Sequence, residues 1–166
     1  MKKIFSYVAF FAAIILLISA YSERVMKADA GFAAPEIEIL ANDSVEISLS
    51  QLRGKYVLVN FWDSENAVSR IAAGEYDRYL RAKTYTKPFT LLSVNTDTDP
   101  KFFKEVVRKD NLDITTQFHI TDAKMKNLAA DYRLNRGFAS YLINPQGKII
   151  SVNPTISCLQ TYLTGK

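Results

Sequence analysis

The sequence predicts an α/β fold: a central mixed sheet flanked by helices, with an N-terminal hairpin extension and an N-terminal hydrophobic helix. Three observations carry this. Tyr56–Phe61, apolar up to Asn60, and Thr90–Asn95 read as strands covered on both faces. From Asn66 to about Lys83, apolar residues recur at helical spacing, enough chain for a crossover between parallel strands. A final hairpin, Tyr141–Ile150, turns at Pro145-Gln146-Gly147 and supplies an antiparallel pair. At 166 residues and 48% apolar content, the chain has length for one such domain and a short extension.

Lys2 and Lys3 precede a run from Ile4 to Tyr21 that only Ser6 and Ser19 interrupt. As a helix these 18 residues would extend roughly 27 Å, close to the hydrocarbon thickness of a bilayer. A basic start, an apolar run and small residues such as Ala20 and Ser22 equally describe a secretory signal peptide. Residues 1–21 are therefore expected to be a signal peptide or membrane anchor, and either one exports the rest of the chain. A globular core helix would be amphipathic, which this run is not. Residues 22–34 are small and polar and read as a linker to a domain over 35–166.

Within the domain, alternation over Ile37–Leu40 and Val45–Leu49 predicts a leading hairpin turning at Asn42-Asp43-Ser44. Gly54 suits a positive-φ turn before the central strand. The helix from Asn66 is expected to turn Val68, Ile71, Ala72, Tyr76, Tyr79 and Leu80 inward. Asp97-Thr98-Asp99-Pro100 caps a helix over about Lys101–Lys109, with Phe102, Phe103, Val106 and Val107 inside. Asp113–Ile120 reads as a short strand or loop, and Asp122 caps a helix to about Tyr132 carried by Met125, Leu128 and Ala129. Pro154 and Thr155 open a last helix with Ile156, Leu159 and Leu163 inward.

Composition excludes several functions. A net charge of +4, part of it in the first thirty residues, with basic side chains scattered along the chain, is no nucleic-acid footprint. Cys158 is the only cysteine, so there is no intrachain disulfide, no cysteine-based zinc site and no dithiol couple. His119 is the only histidine, which excludes a His-rich metal site. No cofactor and no metal is expected. The aspartates Asp97, Asp99, Asp110 and Asp113 lack the spacing of a calcium loop and read as turns and caps.

Four segments carry a resemblance: Ala34-Pro35-Glu36-Ile37, Leu49-Ser50-Gln51-Leu52-Arg53-Gly54-Lys55, Asn60-Phe61-Trp62-Asp63-Ser64, and Leu142-Ile143-Asn144-Pro145-Gln146-Gly147-Lys148-Ile149. With them, Gly31–Leu163 resembles the thioredoxin-like superfamily, in its TlpA/ResA branch of AhpC/TSA-type thiol-disulfide oxidoreductases. The resemblance implies a thioredoxin fold. It also implies a Cys-x-x-Cys motif at the start of the helix after the central strand, where this chain reads Asn66-Ala67-Val68-Ser69. Arg70 stands where the family has arginine, and Phe138 stands at the position of the cis-proline that faces the motif.

The family chemistry needs a thiolate whose pKa the helix N-terminus lowers, and a second thiol to resolve the mixed disulfide. An amide at Asn66 and a hydroxyl at Ser69 supply neither, so no catalytic residue is assigned. Asp63, Ser64 or Asn66 can cap the helix, and Glu65 complements its dipole. Alternatively Trp62, Glu65, Arg70, Arg136, Gly137 and Phe138 form a groove for an anion or an extended peptide. The expected protein is an exported, non-catalytic binding or scaffolding module of the cell envelope, on the periplasmic side of the inner membrane. Its partner is an envelope protein or extended peptide, with membrane contact through the N-terminal helix. The alternative is a redox-related role acting through Cys158 or a partner's thiols. Cys158 is either a small buried apolar side chain or an exposed unpaired thiol. His119 reads as a loop or partly buried residue without a catalytic role.

Overall fold

A computed structural model describes residues 7–17, 28–41, 45–82, 85–120 and 122–165. In chain order the elements are α1 (7–17), β1 (Glu38–Ala41), β2 (Val45–Ser48), a 3-10 turn (Leu49–Leu52), β3 (Tyr56–Trp62), α2 (Ala67–Arg81), β4 (Phe89–Asn95), α3 (Pro100–Lys109), β5 (Gln117–His119), α4 (Asp122–Asp131), a second 3-10 turn (Leu134–Arg136), β6 (Ser140–Ile143), β7 (Ile149–Val152) and α5 (Ile156–Thr164). The main sheet runs β5-β4-β3-β6-β7, with β3 parallel to β4 and antiparallel to β6. The β1–β2 hairpin is a separate antiparallel pair. The expected turn at Asn42-Asp43-Ser44, the helix end at Lys83, and Ile4–Ser6 and 18–27 of the N-terminal stretch lie outside the described residues.

Strand β3 is buried from Val57 to Trp62, as its apolar run requires. Its period of two sends Val57, Val59 and Phe61 to one face, packed by Ile37 and Ile39 near the hairpin, Leu49, and Leu128 and Tyr132 at α4. Leu58 points to the other face, where Leu91, Leu142, Tyr76 of α2 and Leu159 and Leu163 of α5 cover it. Trp62, at the end of β3, packs in a third group with Ala73, Phe103, Val106, Val107 and Leu112. Gly54 adopts φ 88 in the turn into β3. Gly147 adopts φ 77, a conformation strained for any other residue, and a Cβ there would push aside the Arg53 guanidinium.

Two inward faces differ from expectation. In α2 the buried positions are Ser69, Ala73, Tyr76 and Asp77, while Val68 is 80% and Ile71 63% exposed. The small side chains at Ser69 and Ala73 let the helix approach the sheet closely, which turns the larger apolar residues at 68 and 71 outward. In α3, Phe103, Val106 and Val107 are buried as expected, but Phe102 is 38% exposed. Its cap is Asp99, which accepts the Lys101 N–H at 2.8 Å, with Pro100 in the first turn.

The stretch expected to be a linker is bonded into the domain from Ala28 onward. Ala28 is buried and its N–H donates to Asp131 O at 2.6 Å. The Gly31 and Ala34 N–H groups donate to Ile149 O and Gly147 O, at 2.8 and 2.9 Å. Helix α1 presents Tyr7, Val8, Phe10, Phe11, Ile15, Leu16 and Leu17 to the exterior. Among the described residues, no helix is long and apolar enough to cross a membrane. On α5, Thr155 caps by accepting the Cys158 N–H at 3.2 Å, Leu159 and Leu163 are buried, and Ile156 is half-buried.

Two polar ties hold α2 to the α3–β5 loop. Arg70 donates through Nε and Nη2 to both carboxylate oxygens of Asp110, at 2.6 and 2.7 Å. Asp77, only 1% exposed, accepts the Asp113 N–H at 2.9 Å and pairs with Arg81 Nη2 at 2.6 Å, which also donates to Asn111 O at 2.7 Å. Removing the Asp77 carboxylate leaves the Asp113 N–H without its acceptor and Arg81 without its counter-charge, although Arg81 keeps its bond to Asn111 O. Asp77→Ala is expected to lower unfolding free energy by about 2 kcal/mol, read from the urea midpoint at unchanged slope. A loss within error would show that the loop does not depend on this tie.

Candidate functional site

Asn66 sits at the end of the loop that follows β3, with extended backbone angles, and its Oδ1 accepts the Ser69 N–H at 2.9 Å. The Ser69 hydroxyl donates to Asn66 O at 3.1 Å and accepts the Asp63 N–H at 3.2 Å. Asn66 and Ser69 thus close on each other, and the first turn of α2 is satisfied by its own side chains. Of the three expected caps, Asn66 alone caps. Asp63 instead accepts the Glu65 N–H at 2.9 Å, which places Glu65 before the helix.

Ser64 is buried against Asp97: its N–H donates to Asp97 Oδ1 at 2.8 Å and its hydroxyl donates to Oδ2. Asp97 is therefore a buried acceptor for the corner and not a cap for α3, a role that sequence spacing did not reveal. Asn95 Oδ1 accepts the Asp97 N–H at 3.0 Å, and His119 Nε2–H donates to Asp97 O at 2.6 Å. Serine, aspartate and histidine meet here, but in an order that activates no nucleophile. The imidazole bonds a main-chain oxygen and the hydroxyl gives its proton to the carboxylate. His119 is half-buried and packs on Phe103, with ring centroids 5.5 Å apart.

Helix α2 divides the residues expected to share one groove between two clefts. The first, about 420 Å³, runs between α2 and the Gly137–Ser140 segment and is lined by Asn66, Val68, Ser69, Gly137, Phe138 and Asn153, among others. Tyr76 closes its inner end, donating its hydroxyl to Pro154 O at 2.8 Å, and burial pushes its phenol pKa up. Below it, Ser140 Oγ donates to Asn60 Oδ1 at 2.7 Å, and the Ser140 N–H donates to Asn153 Oδ1 at 2.9 Å. The peptide bond before Phe138 is trans. The second cleft, about 580 Å³, lies on the opposite side of α2 and holds Glu65, Arg70, Ile71, Glu75, Arg78 and Asp110.

Two expected members fall outside both clefts. Trp62 is 0% exposed, inside the apolar group that also holds Ala73 and Phe103, and offers no surface to a ligand. Arg136 ends the second 3-10 turn and is exposed beside, not within, the first cleft. Cys158 is half-buried on α5. Among the described residues, no group of three His, Cys, Asp or Glu side chains is arranged to hold a metal ion.

A five-stranded mixed sheet, with a strand–loop–helix corner at the end of its central strand, defines a thioredoxin-like fold. The AhpC/TSA family model matches residues 30–152, and the chain belongs to that family. Among solved structures, the chain is 29% identical to a thioredoxin-like protein from Parabacteroides distasonis, over 82% of this chain and 95% of that one, with a TM-score of 0.69. The thioredoxin domain of a thiol-disulfide oxidoreductase from Bacteroides vulgatus is 23% identical, over 83% and 100%, with a TM-score of 0.72. A thiol-disulfide oxidoreductase from Bacteroides fragilis is 23% identical, over 78% and 96%, with a TM-score of 0.66. No curated protein matches the chain at a significant level.

The Arg70 pair makes the second cleft's wall sensitive to acid. Its hydrogen bonds hold the Asp110 carboxyl below the usual carboxylate range, and those from Thr115 do the same for Asp113. A carboxylate depressed on folding stabilises fully above its unfolded pKa of about 4, and the contribution is lost as pH falls through the lower folded value. Arg70→Gln is expected to flatten the fall in unfolding free energy below about pH 4, leaving the Asp113 share, as read from urea melts across that range. Parallel acid slopes in the two proteins would show that the pair contributes nothing.

Proposed function

We propose that this chain is an exported, non-catalytic binding module of the cell envelope, whose first cleft holds an extended peptide of a partner protein. The reading rests on one observation: the two positions where the resemblance implies redox cysteines carry Asn66 and Ser69, and both are consumed in capping α2. The Ser69 hydroxyl donates its hydrogen bond to a carbonyl, and the sole imidazole is committed to the Asp97 main-chain oxygen on another element, so no imidazole stands by to activate Ser69. The cleft beside it remains open. Val68 and Phe138 give it apolar walls, and Asn66 and Asn153 give it polar ends, a mixture that suits main-chain amides with apolar side chains. The export part of this reading is supported by the basic start and apolar run of the N-terminal segment, whose helical part turns its apolar side chains outward.

In an insulin-reduction assay the full chain is expected to give the buffer rate; turnover well above it would remove the non-catalytic reading. Peptides selected from a displayed library against the full chain are expected to bind Val68→Asp roughly tenfold more weakly, a difference of about 1.4 kcal/mol. Val68 is exposed, so the variant's stability should stay within about 0.5 kcal/mol. Equal peptide binding by both proteins would exclude this cleft. Placement is tested separately, by fractionating cells that express the chain: it should appear in the envelope and be digested by protease added to spheroplasts, whereas a protected chain would refute export.

A further inference from the structure

Strand β4 is paired along its whole length with β3, but on its other side β5 meets only Ser93–Asn95. The Ser93 N–H donates to Thr116 O at 2.9 Å and Asn95 O accepts the Ile120 N–H at 3.1 Å, so residues 93 and 95 turn their main-chain groups to this side. The two-residue period of a strand puts the N–H and C=O of Phe89 and Leu91 on the same side. Continuing the ladder would require the Thr116 N–H to reach Leu91 O. It donates instead to Asp113 O at 3.0 Å, in a turn that the Asp113 side chain holds through the Thr115 N–H and hydroxyl. β5 therefore ends, and among the described residues the first half of β4 is left with an open edge.

That edge faces a cavity of about 760 Å³ between the two layers of the fold. Ile47, Leu52 and Phe118 form one wall, from the side of the hairpin, and Leu80 and Tyr85 form the other, from the side of α2. The charged groups in its lining are already engaged: Asp77 with Arg81 and the Asp113 N–H, Arg81 also with Asn111 O, and Asp113 with Thr115. An occupant thus meets main-chain donors and acceptors along one side and apolar walls on both faces, with the few charged side chains of the lining already hydrogen-bonded within the chain.

We propose that the open edge at Phe89 and Leu91 binds a short extended peptide of a partner protein, made of consecutive uncharged apolar residues. The segment adds to the sheet where β5 stops. Apolar walls on both faces select a run like an interior strand, not the alternation of a strand with one wet face. A charged segment would lose its hydration between these apolar walls without gaining a counter-charge, which disfavours acidic and basic runs. The site lies along the first half of β4, away from the α2 N-terminus, and does not depend on the reading of the first cleft.

The experiment follows the amide signals and hydrogen exchange of the full chain with an acetylated, amidated peptide of valine, isoleucine and valine between pairs of serines. The same peptide, N-methylated at its three apolar residues, is the control. The amides of Phe89 and Leu91 should gain roughly tenfold protection with the first peptide, equivalent to about 1.4 kcal/mol, and none with the second. Three outcomes overturn the proposal: no gain at those amides, equal effects of the two peptides, or changes confined to the segment around Phe138. Protection that rises with protein concentration alone also overturns it, by making the occupant a second copy of this chain.

Discussion

A strand buried on both faces has no water to satisfy its polar groups, and this constraint on β3 shapes everything around it. Asn60 is the polar residue inside that strand, and it is buried. Its carbonyl oxygen accepts the Ser140 hydroxyl from β6 and its amide lies 3.5 Å from Ser93 Oγ on β4, so one side chain links three adjacent strands. At the end of β3 the demand passes to the corner, where Ser64 sinks onto Asp97 and Asn66 and Ser69 close the first turn of α2. The corner's polar residues terminate a strand and start a helix, with Ser64 and Ser69 buried and Asn66 at the surface.

Much of this was legible from residue type alone. Continuous apolar runs gave β3 and β4, turn residues gave the final hairpin, and Asp99-Pro100 gave the start of α3. The resemblance at Asn60-Phe61-Trp62 located the corner. Failures arose where a pattern does not encode depth. In α2 the sequence offers Val68 and Ile71 as obvious core residues, but a helix pressed against a sheet buries its smallest side chains where the backbones are nearest. Phe102 misled in the same way beside Phe103.

The site was harder to read than the fold, because its geometry is set by pairs far apart in sequence. Asp110 is 40 residues from Arg70, and Asp97 is 33 from Ser64. No local spacing announces either contact. Trp62 followed the motif into its position but not into a groove, since the end of an interior strand is itself interior. The consequence is a different division of labour around α2: residues that looked like one binding surface stand on opposite sides of a helix, and its outward Val68 and Ile71 are shared between them.

A chain with one cysteine has a single covalent form within its own fold. A protein that carries a dithiol exists as two species, reduced and bridged, and its shape and stability answer to the redox potential around it. Here the described elements of the domain are held by packing, caps and ion pairs, and the single cysteine forms no intrachain bond that a reductant could cut. Within the chain's own fold there is thus no cross-link whose making or breaking follows the redox potential of its surroundings.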